Sequence, residues 1–472
     1  MTDQTNEVLA SLLTELGWSP RALARKINHV LGAGTVAETA PYHWRDGSRT
    51  PRPPLPTVTA WVLSRELGRP VTVSDLWRGR ATHSPLVLPA DFEMNLPWSR
   101  TGTMGFLDDW VRAGLLDRRH FLAVSGAAVI SIATGYPAAE PGRLASAVGR
   151  GCTDNPLLDQ IEQSIPLLQR LDDANGGGAH LPYVGAQLRA VALLVREGGH
   201  LGSVELRLFA ALAELAQLAG WMALDAGKHG LAQRYLFTAL RAAREAGYHS
   251  MAAHALGDLA FQAASRGCPA DAVPLGEAAA RVAATSPTGV RASVQTRLAY
   301  GYAVAGRLDD FERAYASGLD QMTRRDPNKD PAWMYYLTPN HLDAQAGYSL
   351  AHAGALATSA GDRSARRSLL RRGEQLLRTG AHDLPLGHPS QRRALFEGAW
   401  LSVAAACRGD VEQACTTGQL ALTRLDCVQS ARSADVLRLL ARRLRRAGSK
   451  NEYVRDFLPA LDRAVARQPV PA

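Results

Sequence analysis

Apolar residues at helical spacing run through most of the chain, and alternating strand-like patterns are rare. Near the start, Val8, Leu9, Leu12, Leu13 and Leu16 form one apolar stripe, which predicts a helix over residues 5 to 17, ended by Gly17. Ser19-Pro20 then reads as a cap with proline in the first turn. A second helix over 21 to 30 carries Leu23, Ile27 and Val30 inward, keeps Ala24 small for a close crossing, and leaves Arg25 and Lys26 outside. A glycine-rich turn, Gly32-Ala-Gly34, leads to a short helix beginning at Thr39. A fourth helix is predicted from Thr57 to Leu67 and a last short one over Val71 to Trp77. About five short helices in 1–78, each with a buried face, match the size of a helix-turn-helix domain.

Prolines and scattered polar residues make 79–105 a linker, and 106–181 reads as a helical connector with loop-like breaks, one of them a flexible Asn175-Gly-Gly-Gly178. From 182 to 472 the pattern becomes an array. Alanine-rich helices are punctuated by similar turns at Gly227, Gly267, Gly306, Gly361, Gly409 and Gly448, about 40–55 residues apart. Five positions after the glycine stands Ala232, Ala272, Phe311, Ala414 or Tyr453, with Arg366 the exception. This is the signature of a repeated helix pair, which predicts an all-α, tetratricopeptide-like superhelix. An insertion between Gly306 and Gly361 is polar and then aromatic, from Arg324 to His341.

The stretch Thr39–Arg52 bears on function. Thr39 is expected to cap the helix, Pro41 sits in its first turn, and Trp44 faces inward three residues later. Asp46-Gly47 stops the helix, and Arg45, Arg49 and Arg52 place three positive charges within eight residues, as in a short helix followed by a basic arm. A helix laid in the major groove would present Thr39, Tyr42, His43 and Arg45 to base edges. Arg25, Lys26, Arg49 and Arg52 would take phosphates. A net charge of +9 is compatible with a polyanionic partner.

Composition narrows the alternatives. With 46% hydrophobic and 21% charged residues the chain is globular, and its length calls for more than one core. Five cysteines, Cys152, Cys268, Cys407, Cys415 and Cys427, form no C-x-x-C, which fits a reducing cytoplasm and neither a disulfide framework nor zinc. The first residues lack the basic and apolar regions of a signal peptide. Arg118–Ala139 imitates a twin-arginine export signal, but its apolar run is shorter than the roughly 20 residues of a membrane span. It is therefore expected to be a buried helix joining two domains. No nucleophile, phosphate-loop or metal-protease motif is present, so neither catalysis, cofactor nor metal is expected.

PYHWRDG with PRPP, followed by LSRELGRPVTVSDLW, resembles actinobacterial, Streptomyces-type transcriptional regulators that combine an N-terminal helix-turn-helix with a tetratricopeptide-like sensor. Residues 215–247, PAWMYY at 331–336 and GDVEQAC at 409–415 resemble the sensor part of that group. The turn before Thr39 is longer and richer in glycine than the tight turn of phage repressors. The resemblance implies a cytoplasmic regulator of differentiation or secondary metabolism, often repressive, that binds an operator in double-stranded DNA.

Two half-sites sharpen the specificity of so small a module, so a homodimer is expected. Trp333, Tyr335, Tyr336 and His341 follow the polar insertion and are expected to hang over the concave face, lining a site for a small molecule or peptide. The other aromatics and histidines of the repeats, Trp221, His254 and Tyr348 among them, are expected in the core. The arginine-rich segments 363–378 and 438–448 read as solvated helix faces. The alternative reading is a scaffold that binds no DNA and docks proteins on its repeats.

Overall fold

Leu9, Leu13, Leu23, Ile27 and Leu63, the apolar stripes of three predicted helices, are all buried in one core with Trp44. The structure, a computed structural model, describes residues 6–31, 36–47, 49–52, 55–67, 71, 76–77, 98–112, 156–197, 202–357, 363–448 and 451–468. Among them every regular element is a helix, so the chain is all-α. It divides into two units, Met1–Leu96 with Asp117–Ile132, and Pro97–Leu116 with Ala133–Ala472.

Among the described residues the first unit has α1 (Glu7–Glu15), α2 (Pro20–Leu31), α3 (Ala40–Arg45) and α4 (Leu55–Leu67), and Leu76 and Trp77 are helical, while most of the helix expected over Val71–Trp77 lies outside the described residues. Asn6 ties three parts together. Its side chain accepts from the Leu9 amide at 3.0 Å and donates to the Leu76 carbonyl at 2.8 Å, while its own amide donates to the Arg45 carbonyl at 2.7 Å. Ser19 caps α2 by accepting from the Ala22 amide. Asn28 pairs with the Val36 peptide in both directions, at 2.7 and 2.8 Å, and so fixes where the chain leaves the long turn between α2 and α3. The Thr39 hydroxyl makes no capping bond, because Thr39 already has right-handed helical backbone; the expected cap is absent. The fourth helix begins two residues earlier than predicted, at Leu55.

The second unit opens with α5 (Arg100–Arg112), whose start lies inside the segment expected as linker. Linker residues 79–97, residues 113–155 of the expected connector, with the apolar stretch Arg118–Ala139, and the turn at Gly361 lie outside the described residues. Two long helices follow, α6 (Pro156–Asn175) and α7 (Gly177–Glu197). The expected flexible break between them is a tight turn. Gly176 has φ of +81°, and a Cβ on Gly177 would lie 2.4 Å from the Met222 carbonyl oxygen, so the glycines serve close packing.

Six helical hairpins come next: α8 (Gly202–Asp225) with α9 (His229–Glu245), α10 (His249–Ser265) with α11 (Pro269–Val282), α12 (Thr288–Val304) with α13 (Leu308–Thr323), α14 (Pro339–Leu356) with α15 (Arg363–Leu377), α16 (Gln391–Arg408) with α17 (Val411–Leu425), and α18 (Ala431–Ala447) with α19 (Glu452–Ala466). The turn glycines Gly227, Gly267, Gly306 and Gly409 all have positive φ. Ala232, Ala272, Phe311 and Ala414 are buried as the repeat pattern requires. Tyr453 is exposed instead, and its neighbour Val454 takes the interior place.

The first helix of each hairpin packs on the first helix of the next, and the row curls until α18 meets α8. Asp225 fastens the closure. It is fully buried at the end of α8 and accepts from the Gly177 amide at 3.1 Å, the Ser430 hydroxyl at 2.8 Å and the Arg432 guanidinium at 3.1 Å. α8 is long and apolar enough to cross a membrane by length and composition, yet 83% of that apolar window is buried inside the protein, as in a core helix.

Candidate functional site

Two places carry the side chains singled out by sequence. The first surrounds α3. Pro41 and Trp44 are buried, which turns Tyr42 and His43 outward. Arg45 pairs with Asp46 at 2.8 Å and lies 5.4 Å over the Tyr42 ring. Lys26 pairs with Glu66 at 3.1 Å and stands 5.1 Å over Trp18. Both cations therefore have surface partners, of a kind worth little in water and readily exchanged. Thr39, Arg25, Arg49 and Arg52 are exposed, and among the described residues no ion pair engages these three arginines.

The second place is a cavity of about 450 Å³ ringed by α6 and the inner helices of the hairpins. The four residues predicted to bind an effector all line it. The insertion that supplies them is folded as two short 3-10 turns, Pro327–Lys329 and Ala332–Met334. Arg325 organises it. Its guanidinium holds the Asp330 carboxylate and donates to the carbonyls of Met334 and Leu337, and Asp330 in turn accepts from the Gly289 amide.

Trp333 does not hang over the face as expected; it is a buried wall. Its ring stacks on His254 at 4.4 Å between centroids, and Nε1 donates to the Tyr248 hydroxyl at 2.9 Å. Tyr248 donates onward to Glu214, whose carboxyl burial lifts to about 7. Tyr335 is exposed and donates its hydroxyl to Asp173 across the rim. Tyr336 is half-buried, 3.2 Å from the Ser293 hydroxyl and edge-on to His341. His341 keeps Nδ1 without a hydrogen bond.

Sequence reasoning missed the charged floor of this cavity. Arg297 pairs with Asp258 at 2.8 Å and donates to His254 Nδ1 at 2.7 Å. Arg432, fastened to Asp225, lies 4.1 Å over Phe396 and 4.9 Å over Trp221. Arg392 lies 5.4 Å over the same Trp221 ring and reaches Asp172 at 3.2 Å and Asp173 at 2.5 Å. Burial raises the Asp172 carboxyl to about 7, against the pull of Arg392, and holds His254 and His341 well below the ordinary histidine value. Those imidazoles are neutral at pH 7. Because His254 Nδ1 accepts from Arg297, its proton sits on Nε2.

The floor residues left a signal: charged positions such as Asp225, Asp258 and Arg297 interrupt otherwise alanine- and leucine-rich helices. A charge on an apolar face must be paired when buried, and each is. Trp221, His254 and Tyr348, grouped by sequence with the core, also line the cavity.

Among the described residues no cluster of three metal-capable side chains is gathered. Residues 9–77 match the family model of the SP15 N-terminal domain, a span that runs from the first core leucine to the last core tryptophan of the first unit. No curated protein matches the chain.

Proposed function

We propose that the protein is a sequence-specific DNA-binding transcription regulator whose second unit senses a small molecule. The single observation that carries the reading is the cavity. A helical array joined end to end at Asp225 surrounds an open cavity of about 450 Å³ lined by aromatic and guanidinium groups, a volume and lining suited to a small ligand. In this reading the array is tetratricopeptide-like and the first unit works as a helix-turn-helix. Thr39, Tyr42, His43 and Arg45 read bases, and Arg25, Lys26, Arg49 and Arg52 hold phosphates.

Exposure of these side chains, with Arg45 half-buried, around a buried Pro41–Trp44 anchor supports that assignment. Two copies would read two half-sites. An effector changes DNA binding only by favouring one of two conformations of the chain. Selection of duplexes from a random library by the full chain, followed by footprinting, tests the proposal. A recovered common site with a protected footprint is expected, and recovery of no shared sequence contradicts it.

A further inference from the structure

The charges around the cavity do not balance. Arg297 is answered by Asp258, Arg432 by Asp225 and Arg393 by Glu397. Arg392 alone stands between two carboxylates, Asp172 and Asp173. With every carboxyl ionised one negative charge is therefore left over on the α6 wall, where burial already favours a proton on Asp172. Asp172 is 2% exposed, and its Oδ1 has no hydrogen-bond partner. A buried carboxylate without a full set of partners is costly unless a proton or a cation neutralises it. Directly across that wall, Tyr335 donates to Asp173, and Tyr336 and Trp333 continue the aromatic surface inward.

We propose that the cavity takes a small organic monocation, with its ammonium or guanidinium group at Asp172 and Asp173 and its apolar or aromatic body against Tyr335, Tyr336 and Trp333. The proposal rests on the reading of the cavity as the effector site. Aromatic faces favour a cation and disfavour an anion. An anion would also find every guanidinium already committed to a carboxylate and would add to the surplus. The face of Trp221 is not part of the ligand site, because Arg392 and Arg432 already lie over it.

Three probes that share one body separate charge from shape: tryptamine is a cation, indole-3-acetate an anion, and 3-methylindole is neutral. Calorimetric titration of the full chain, without DNA, is expected to give saturable tryptamine binding about tenfold or more tighter than that of either other probe. Asp173→Asn, nearly isosteric and at the rim, where Asp172 still answers Arg392, is expected to bring the preference close to one while the chain still melts cooperatively. Tryptamine bound no tighter than the other two, saturable binding by none of the three, or an unaltered preference in Asp173→Asn overturns the proposal. Tighter binding of indole-3-acetate would remove the cation and leave the effector cavity standing. A chain that fails to retain DNA bears on the first unit and leaves this titration unaffected.

Discussion

Arg392 on α16 reaches Asp172 on α6 at 3.2 Å, joining the first long helix of the second unit to its fifth hairpin. Both side chains are buried, and Asp173 shares the same guanidinium. Arg392→Ala would leave two acidic groups with no cation. The expected loss is about 3–5 kcal/mol, the usual cost of breaking one side of a buried pair. Arg372→Ala, which breaks the exposed pair with Glu312, should cost about 0–1 kcal/mol. Denaturant unfolding of both variants checks this, and equal losses would contradict it.

Asp172 also sets a pH dependence. Arg392 from α16, Arg432 from α18, Asp225 from α8 and Asp173 from its own helix act on it, but burial dominates and raises its carboxyl to about 7, against about 4 in an unfolded chain. The folded state holds the proton more tightly. That stabilisation is fully present below about pH 4 and is lost as pH rises to about 7. His352 works in the opposite sense: lowered to about 4 by burial, it contributes stability above about pH 6.5 that is lost as pH falls towards 4. The two overlap, so a difference between variants is the useful measurement. The stability of Asp172→Asn relative to the parent should rise from about pH 4 to about pH 7 and level off above. A difference that stays flat across that range contradicts the assignment.

The aromatic group should separate by burial. Trp333→Ala removes a buried ring stacked on His254, with an expected cost of about 3–5 kcal/mol. Tyr335→Phe removes one hydroxyl hydrogen bond at an exposed position, with an expected cost of about 1 kcal/mol or less. Thermal melts of the two variants check the ranking; a larger fall for Tyr335→Phe would reverse the placement of wall and rim.

Much of the fold was legible because local rules and packing agree in it. Trp44 reads as inward from Pro41 and helical spacing, and it is buried. The turn glycines read as turns because a left-handed backbone is needed where a hairpin reverses, and Gly227, Gly267, Gly306 and Gly409 have it. The arginines of the solvated segments, such as Arg372 and Arg445, are exposed and paired with Glu312 and Asp462. The cavity was half legible. Its aromatic wall announced itself through an insertion with unusual composition. Its floor did not, because Asp172, Arg297, Arg392 and Arg432 come from four helices far apart in the chain and meet only when the array curls back on itself. The Asn175–Gly178 glycines misled for the same reason, since the backbone they must clear belongs to Met222, for Gly177, and to Gln429, for Gly176 and Gly178.

On the DNA side, Arg45→Ala is expected to weaken binding to a selected duplex by about 1–3 kcal/mol and to relax the preference at one base pair. Its present partner, Asp46, is exposed and adjacent, so the pair can open towards a base. Arg49→Ala should weaken all sequences alike. Comparison of the two variants on a selected and a scrambled duplex checks the division, and identical profiles would contradict it.

In the proposed function the first unit binds DNA through these cations. The most direct measurement is the affinity of the full chain for a selected duplex as salt is raised from about 50 to about 200 mM, with the parent beside Arg25→Ala and Arg49→Ala. Release of phosphate counterions predicts a steep linear fall of log affinity with log salt, and each alanine should flatten the slope by about one. Affinity that does not change with salt, or slopes identical in parent and variants, would contradict the account.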